Sequence, residues 1–245
     1  GKAPDVALGV VHNSPVEFAI RDAVVDLTKF QASGSTAGYT DVKKRFLSNI
    51  MTPFRYQGGV YALPETMNFI VMFYRKDILS RLGVPLPSTW DEVYNVTLPA
   101  LYQNNMQFFI PGDWSMFLYQ NNADYYTADG LHSALDTPNA YQGIKQLTEL
   151  YTNYGVPVTA DFYNRFRSGE MPIGISNFNL YILFSTAAPE LAGKWGINVI
   201  PGNKDGDIVN RSSGGLIGSA SMIMSQSTKQ EAAWEFLDWW TSTHT

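Results

Sequence analysis

The chain has 245 residues, a formal net charge of -5, 16% charged residues and no cysteine. Disulfides, thiolate metal sites and a cysteine nucleophile are thereby excluded. No basic cluster exceeds Lys43-Lys44-Arg45, so nucleic acid is not an expected partner, and no apolar run approaches the roughly 20 residues of a membrane-crossing helix. Hydrophobic content of 45% suffices for one large core or two modest ones. Aromatic residues make up 14%; such rings hold sugars through their C–H faces and serve equally as core material.

The spacing predicts a buried strand over Asp5–Val11, then, past His12-Asn13-Ser14-Pro15, a helix to about Val24. A Ser/Gly/Thr-rich loop over 31–39 precedes a helix from Asp41 to about Ile50, with Thr40 as its cap. The chain is organised around Gly58 to Asp77, which reads as a turn, a strand, a kink at Pro64 and a second strand from Phe69 to Tyr74. That second strand is apolar on both faces, the pattern of a strand buried in an α/β sheet. Glu65, Thr66 and Asn68 lie between the two runs. Polar groups at such a strand end face the crevice where open α/β sheets bind ligands; the alternative is a core hairpin with a solvated end.

Lys76 and Asp77 start a short helix to about Leu82. Thr89-Trp90-Asp91-Glu92 is a capping box opening a helix to about Gln103, kinked or broken at Pro99, with Trp90 as packing. A short strand over Gln107–Ile110 turns through Pro111-Gly112-Asp113-Trp114 into a helix ending near Tyr119. Thr137 caps a helix from about Asn139 to Asn153, with Pro138 at its first position. Ser176 and Asn177 are placed at a helix N-terminus, able to meet hydroxyl groups. Trp195–Ile200 is a strand closed by Pro201-Gly202, Asn203–Asn210 a polar loop, and Leu216–Met224 a strand. Thr228-Lys229-Gln230-Glu231 reads as a second capping box opening the final helix.

The order of these motifs resembles the extracellular solute-binding proteins of bacterial ABC importers, in the carbohydrate-binding branch similar to maltose-binding protein. The resemblance rests on Pro4-Asp5-Val6, Gly59-Val60-Tyr61-Ala62-Leu63-Pro64, Tyr74-Arg75-Lys76-Asp77, Pro87-Ser88-Thr89-Trp90-Asp91-Glu92-Val93, Asn121-Asn122, the Phe162–Phe178 stretch, Pro201-Gly202 and Ala232-Ala233-Trp234-Glu235-Phe236-Leu237. It implies an α/β, two-lobed periplasmic-binding-protein-like fold with hinge crossovers, truncated at both ends, because family members carry strand–helix units before Asp5 and further helices after Trp240. Lobe one is residues 1–73 plus 217–245 and lobe two is 74–216. Gly1-Lys2 reads as a boundary from which a signal has been removed, and Gly214-Gly215 as hinge glycines.

The resemblance also implies a ligand set. His12 and Asn13 follow the first strand, where the family meets its ligand; His12 is otherwise a turn histidine. Glu65 and Asn68 are hydrogen-bonding candidates. Trp114 lies in the turn that offers an aromatic ring, or else packs. Phe178 stands where the family stacks a tryptophan on sugar, with less area and no N–H; Asn177 precedes it, and the bland reading puts Phe178 in the core with Ser176 as cap. Ser213 completes the set. The implied function is capture of a sugar or oligosaccharide by hinge closure, outside the cell, at its surface or in the periplasm, for delivery to the membrane subunits of an ABC importer. No cofactor is expected, and membrane contact comes only through a lipid anchor outside this chain. The alternative is a solute-binding-like domain of a larger cell-surface protein with a scaffolding or adhesion role.

Enzymatic chemistry is not expected. No His-Glu-x-x-His, phosphate-binding Gly-x-x-x-x-Gly-Lys-Ser/Thr or Gly-x-Ser-x-Gly occurs, and His12, His132 and His244 lack metal-ligand spacing. A glycosidase needs two opposed carboxylates, for which Asp5, Glu65 and Asp113 are the candidates.

Overall fold

The structure, a computed structural model, describes residues 4–213 and 218–242. The chain forms two compact units, Gly1–Asn68 with Leu216–Thr245, and Phe69–Gly215, and so passes between them twice. In the first run the elements are β1 (Val6–Val11), α1 (Ser14–Ala19), α2 (Tyr39–Val42), β2 (Arg55–Tyr56), β3 (Gly59–Val60) and β4 (Leu63–Pro64). The second unit contributes β5 (Ile70–Arg75), α3 (Lys76–Leu82), α4 (Trp90–Glu92), α5 (Leu98–Gln103), β6 (Phe108–Phe109), α6 (Ser115–Gln120) and α7 (Pro138–Thr152). It continues with α8 (Phe162–Ser168), β7 (Ile173–Asn177), α9 (Leu180–Ala187), β8 (Trp195–Asn198), β9 (Asn203–Asp205) and β10 (Ile208–Asn210). The chain returns to the first unit with β11 (Ser219–Ile223) and α10 (Gln230–Trp240).

The first unit is built on a three-stranded antiparallel sheet of order β1-β11-β4. Leu27, Phe30, Val42, Leu63, Ile223, Trp234 and Leu237 form its core. Trp234 anchors α10: its ring stacks on Phe30 at 4.8 Å and its Nε1 donates to the Ala37 carbonyl at 2.9 Å. Beside it Asp238 accepts from the Ala37 amide at 2.8 Å and pairs with Arg45, which fixes the loop before α2 against the helix.

The second unit is organised by β5, an inner strand of a four-stranded sheet of order β6-β7-β5-β8. β5 is antiparallel to both neighbours, whereas β6 and β7 run parallel. Alternate side chains point to opposite faces. Ile70, Met72 and Tyr74 enter a core with Trp90, Phe108, Phe117 and Ile173, while Val71 and Phe73 enter another with Phe162, Phe166 and Phe184. The continuous apolar run therefore reports a strand covered on both faces, as its sequence predicts. At its end Arg75 is buried; its guanidinium clamps Asp77 through two bonds of 2.9 and 2.7 Å and donates to the Phe166 and Arg167 carbonyls at 3.0 and 3.2 Å.

Local signals hold at three helix starts or bends. The Thr89–Glu92 capping box is reciprocal, and Thr137 accepts from the Ala140 amide. Between α4 and α5 the helix widens into a π turn over Val93–Thr97. Pro99 lacks the N–H that would bond the Asn95 carbonyl and its ring crowds that group, so the turn opens.

Other expectations are corrected. β1 is an edge strand with Leu8 and Val11 exposed, not a buried one. α1 stops at Ala19 because the chain turns through Asp22, at φ +53, to place Val24 opposite Met224. The helix expected over Asp41–Ile50 is one turn, Tyr39–Val42, capped at Gly38 rather than Thr40 and continued only by a 3-10 turn, Lys43–Arg45. The 203–210 loop is the hairpin β9–β10. The second capping box is absent: α10 starts from Lys229, whose amide donates to Ser227 Oγ at 3.0 Å. Finally, all of β5 belongs to the second unit, whereas the sequence reading assigns Phe69–Phe73 to lobe one; pairing along both edges holds the strand there.

The Arg75 guanidinium beside Asp77 holds that carboxyl below its usual range against the opposing effect of burial. The pair therefore stabilises the fold fully above the unfolded carboxylate pKa of about 3.9 and loses its contribution as pH falls through the lower folded value. Asp77→Asn should flatten the stability-against-pH profile below about pH 4, measured by urea unfolding. Arg75→Ala should cost about 3 kcal/mol, because two carbonyls and a carboxylate lose their donor together.

Candidate functional site

In the first unit the site begins with a backbone irregularity. The β1–β11 register shifts between Ala7 and Val10, and Gly9 sits at φ +65, a left-handed conformation that glycine adopts without strain. The freed Gly9 amide donates to Glu65 Oε2 at 2.7 Å. Glu65 Oε1 accepts from Ser221 Oγ at 2.6 Å and from Trp240 Nε1 at 2.9 Å. One carboxylate thus joins β1, β11, the end of β4 and the end of α10. A carboxylate offers about four acceptor positions, so with three donors bound it keeps capacity for about one more.

This carboxylate lines a cavity of about 450 Å³ with Phe46, Pro64, Thr66, Trp240, Thr241 and Ser242. Thr66 and Ser219 share a hydroxyl–hydroxyl bond of 2.8 Å, and the Glu65 amide donates to the Ser219 carbonyl at 2.9 Å. The His12 amide reaches the adjacent Gly218 carbonyl at 3.2 Å. His12 and Glu65 are therefore held at the same end of this sheet, by residues 218 and 219. The His12 Nδ1 is buried with no hydrogen-bond partner. Asn13 is exposed at the start of α1 and makes no capping bond. Asn68, the last residue before the second unit, is half-buried and engaged.

In the second unit, strand polarity collects the predicted residues. β6 and β7 are parallel, so Trp114, after β6, and Phe178, after β7, lie beyond the same sheet end; Phe69 precedes β5 at that end because β5 runs antiparallel. The Phe178 ring lies near-parallel to Phe69 at 4.9 Å and to Tyr181 at 5.5 Å. Phe69 and Tyr181 are 39% and 42% exposed, so the predicted ring belongs to a partly exposed row of three. Ser176 and Asn177 are strand residues paired with Val71 and Ile70, and not the helix N-terminus expected. The Asn177 Oδ1 is buried without a partner.

Trp114 is separate from that row. It meets Tyr125 edge-on at 5.6 Å and lines an apolar cavity of about 490 Å³ with Leu135, Pro138, Tyr141 and Ile144. Ser213 is half-buried and brought to none of these groups by a described contact; Gly214 and Gly215, the expected hinge glycines, lie outside the described residues.

Sequence reasoning missed Trp240, Phe69 and Tyr181. A signal for the first was partial: Ala233, Trp234, Leu237 and Asp238 form the buried face of α10, and Trp240, seven residues after Ala233 and three after Leu237, lies at the edge of that face, whereas Trp239 falls opposite it. Phe69 and Tyr181 had no such signal, since their stacking is created by strand pairing.

Among the described residues no group of three or more His, Asp or Glu side chains is placed to hold a metal ion. Glu65→Ala should lower stability by about 2 kcal/mol in denaturant unfolding, because three donors lose one charged acceptor. Glu65→Gln should recover only part, since its NH2 group donates and cannot accept a hydrogen bond.

Comparison with known proteins bears on what these groups serve. A family described as bacterial extracellular solute-binding protein matches residues 1–244. A putative binding protein of Brucella abortus (strain 2308) is 28% identical over 214 residues, 81% of this chain and 50% of that protein. The maltotriose-binding protein of Pyrococcus abyssi is 27% identical over 215 residues, 82% of this chain and 44% of that protein. The chain spans about half the length of the curated relatives it matches. Among solved structures, maltose-bound MalE3 of T. maritima shares the fold with a TM-score of 0.79 at 22% identity, over 99% of this chain and 63% of that one. With the family match spanning nearly every residue and the two α/β units agreeing with its fold, the chain belongs to the bacterial extracellular solute-binding proteins.

Proposed function

We propose that the protein binds a sugar or oligosaccharide outside the bacterial cell and delivers it to the membrane subunits of an ABC importer. Binding is coupled to hinge motion at the two passages between units, driven by the solute's preference for one arrangement. The observation that carries the reading is the first-unit cavity. There a tryptophan 39% exposed meets a carboxylate with spare acceptor capacity and a threonine hydroxyl. A pyranose or furanose ring presents the matching pair of features, an apolar C–H face and a rim of hydroxyls. The Phe69–Phe178–Tyr181 row beside the unpartnered Asn177 Oδ1 offers the same pairing in the second unit. The maltotriose- and maltose-binding relatives support the sugar class.

The cavity also supports binding without cleavage. Glycoside hydrolysis requires two carboxylates flanking the bond, and among the described residues Glu65 is the one carboxylate lining this cavity. Its oxygens hold three structural donors, and the remaining acceptor position is open to a ligand hydroxyl.

A thermal-shift screen against mono- and oligosaccharides tests the proposal. A ligand at about 100 times its dissociation constant should stabilise the fold by roughly 2.7 kcal/mol. Trp240→Ala should weaken that ligand about tenfold or more while leaving the fold intact. A folded protein that no member of the panel stabilises would overturn the sugar reading.

A further inference from the structure

We infer that the first unit carries a second site, for a small oxyanion, built by Lys43 and Arg55 over a polar cavity of about 470 Å³ that is also lined by Thr28, Tyr39 and Tyr56. It shares no lining residue with the Glu65 cavity and does not depend on the sugar reading.

The first argument is charge balance. Neighbouring cations are committed: Lys44 pairs with Asp41 at 2.8 Å, Arg45 pairs with Asp238, and Lys29 donates to Gln230 Oε1 at 2.6 Å. Among the described residues Lys43 and Arg55 make no ion pair. Lys43 Nζ only overlies the Tyr39 ring, 5.8 Å from its centre. The neighbouring acid, Asp26, commits one oxygen to the cavity frame. Its Oδ1 accepts from the Thr28 amide at 3.0 Å, Thr28 Oγ1 at 2.9 Å and the Val60 amide at 3.1 Å. Asp26 thus organises the cavity wall without forming an ion pair with Arg55. Two cations that make no ion pair thus line one polar cavity, in a chain whose net charge is -5.

The second argument is donor chemistry on a rigid frame. Arg55 and Tyr56 form β2, joined to β3 through Gln57 and Gly58, both at positive φ, +46 and +86. Consecutive left-handed residues make the tight hairpin turn that matches strand twist, so Arg55 is presented by a short closed hairpin. Tyr39 is buried in the core behind it, and burial pushes its phenol up, which keeps it protonated. A guanidinium binds two oxygens of a phosphate, sulfate or carboxylate through its planar fork, and an ammonium adds a point charge from another direction. The ligand class is therefore a small molecule bearing one of these groups.

The test is an amide NMR titration of the intact chain with inorganic phosphate, with parallel sulfate and acetate arms, at constant ionic strength. Saturable shifts confined to Lys43 and the 55–59 hairpin are expected. Saturation by phosphate and sulfate alone marks a tetrahedral oxyanion, and saturation by acetate as well marks a carboxylate ligand. Arg55→Ala and, independently, the surface change Lys43→Ala should each weaken binding about tenfold, while Arg55→Lys retains part of it. Shifts that never saturate, or a dissociation constant unchanged in the folded Lys43→Ala protein, would refute the site.

Discussion

Strand β5 is hydrogen-bonded along both edges and covered on both faces, and the second unit is built around that double burial. Met72 and Phe73, adjacent in sequence and fully buried, face different cores. Interiors are packed to crystalline density, so the strand has no room to slip by one residue; a slip would exchange the two faces. The register Ile70↔Asn177 follows, and with it the stacking of Phe69 on Phe178. The row of rings proposed to meet the solute is thus positioned by strand pairing, with Phe178 packed against the core of Val71 and Phe73.

The first unit meets the same requirement with a polar device. Its sheet has only three strands and its edge strand β1 is bulged. The bulge frees a backbone amide, and an unsatisfied amide is costly unless something accepts from it. Glu65 accepts, and its other oxygen draws in Ser221 and Trp240. The residue proposed to receive a solute hydroxyl is therefore also a structural tie. Preorganisation of this kind lowers the entropy lost on binding, because the carboxylate and the indole are already held in place.

Each unit holds a buried polar atom without a partner, His12 Nδ1 in the first and Asn177 Oδ1 in the second, while the Glu65 carboxylate accepts from three protein donors. An unpaired buried acceptor costs free energy in the absence of ligand, and a donor brought by a solute relieves that cost. Stability held back at one position and supplied at another is the arrangement expected where a fold also binds.

Where information was local, the sequence determined the outcome by itself. The Thr89–Glu92 box, the Thr137 cap and the doubly apolar run before Arg75 each depend on neighbours within a few residues, and each is present. The motif order was sufficient to place the chain in its family. Tertiary structure alone decided the rest. Whether Asp41–Ile50 stays helical depends on Arg45 reaching Asp238, 193 positions away. Whether Thr228 caps depends on Ser227, which bonds Asp5 across the sheet end and leaves its oxygen to receive the Lys229 amide. Glu65, Trp240, Phe69 and Tyr181 acquire their meaning from pairings between distant strands and a closing helix. A sequence read along its length carries the cost of turns and caps; it does not carry which distant donor arrives at which acceptor, because that is set by packing.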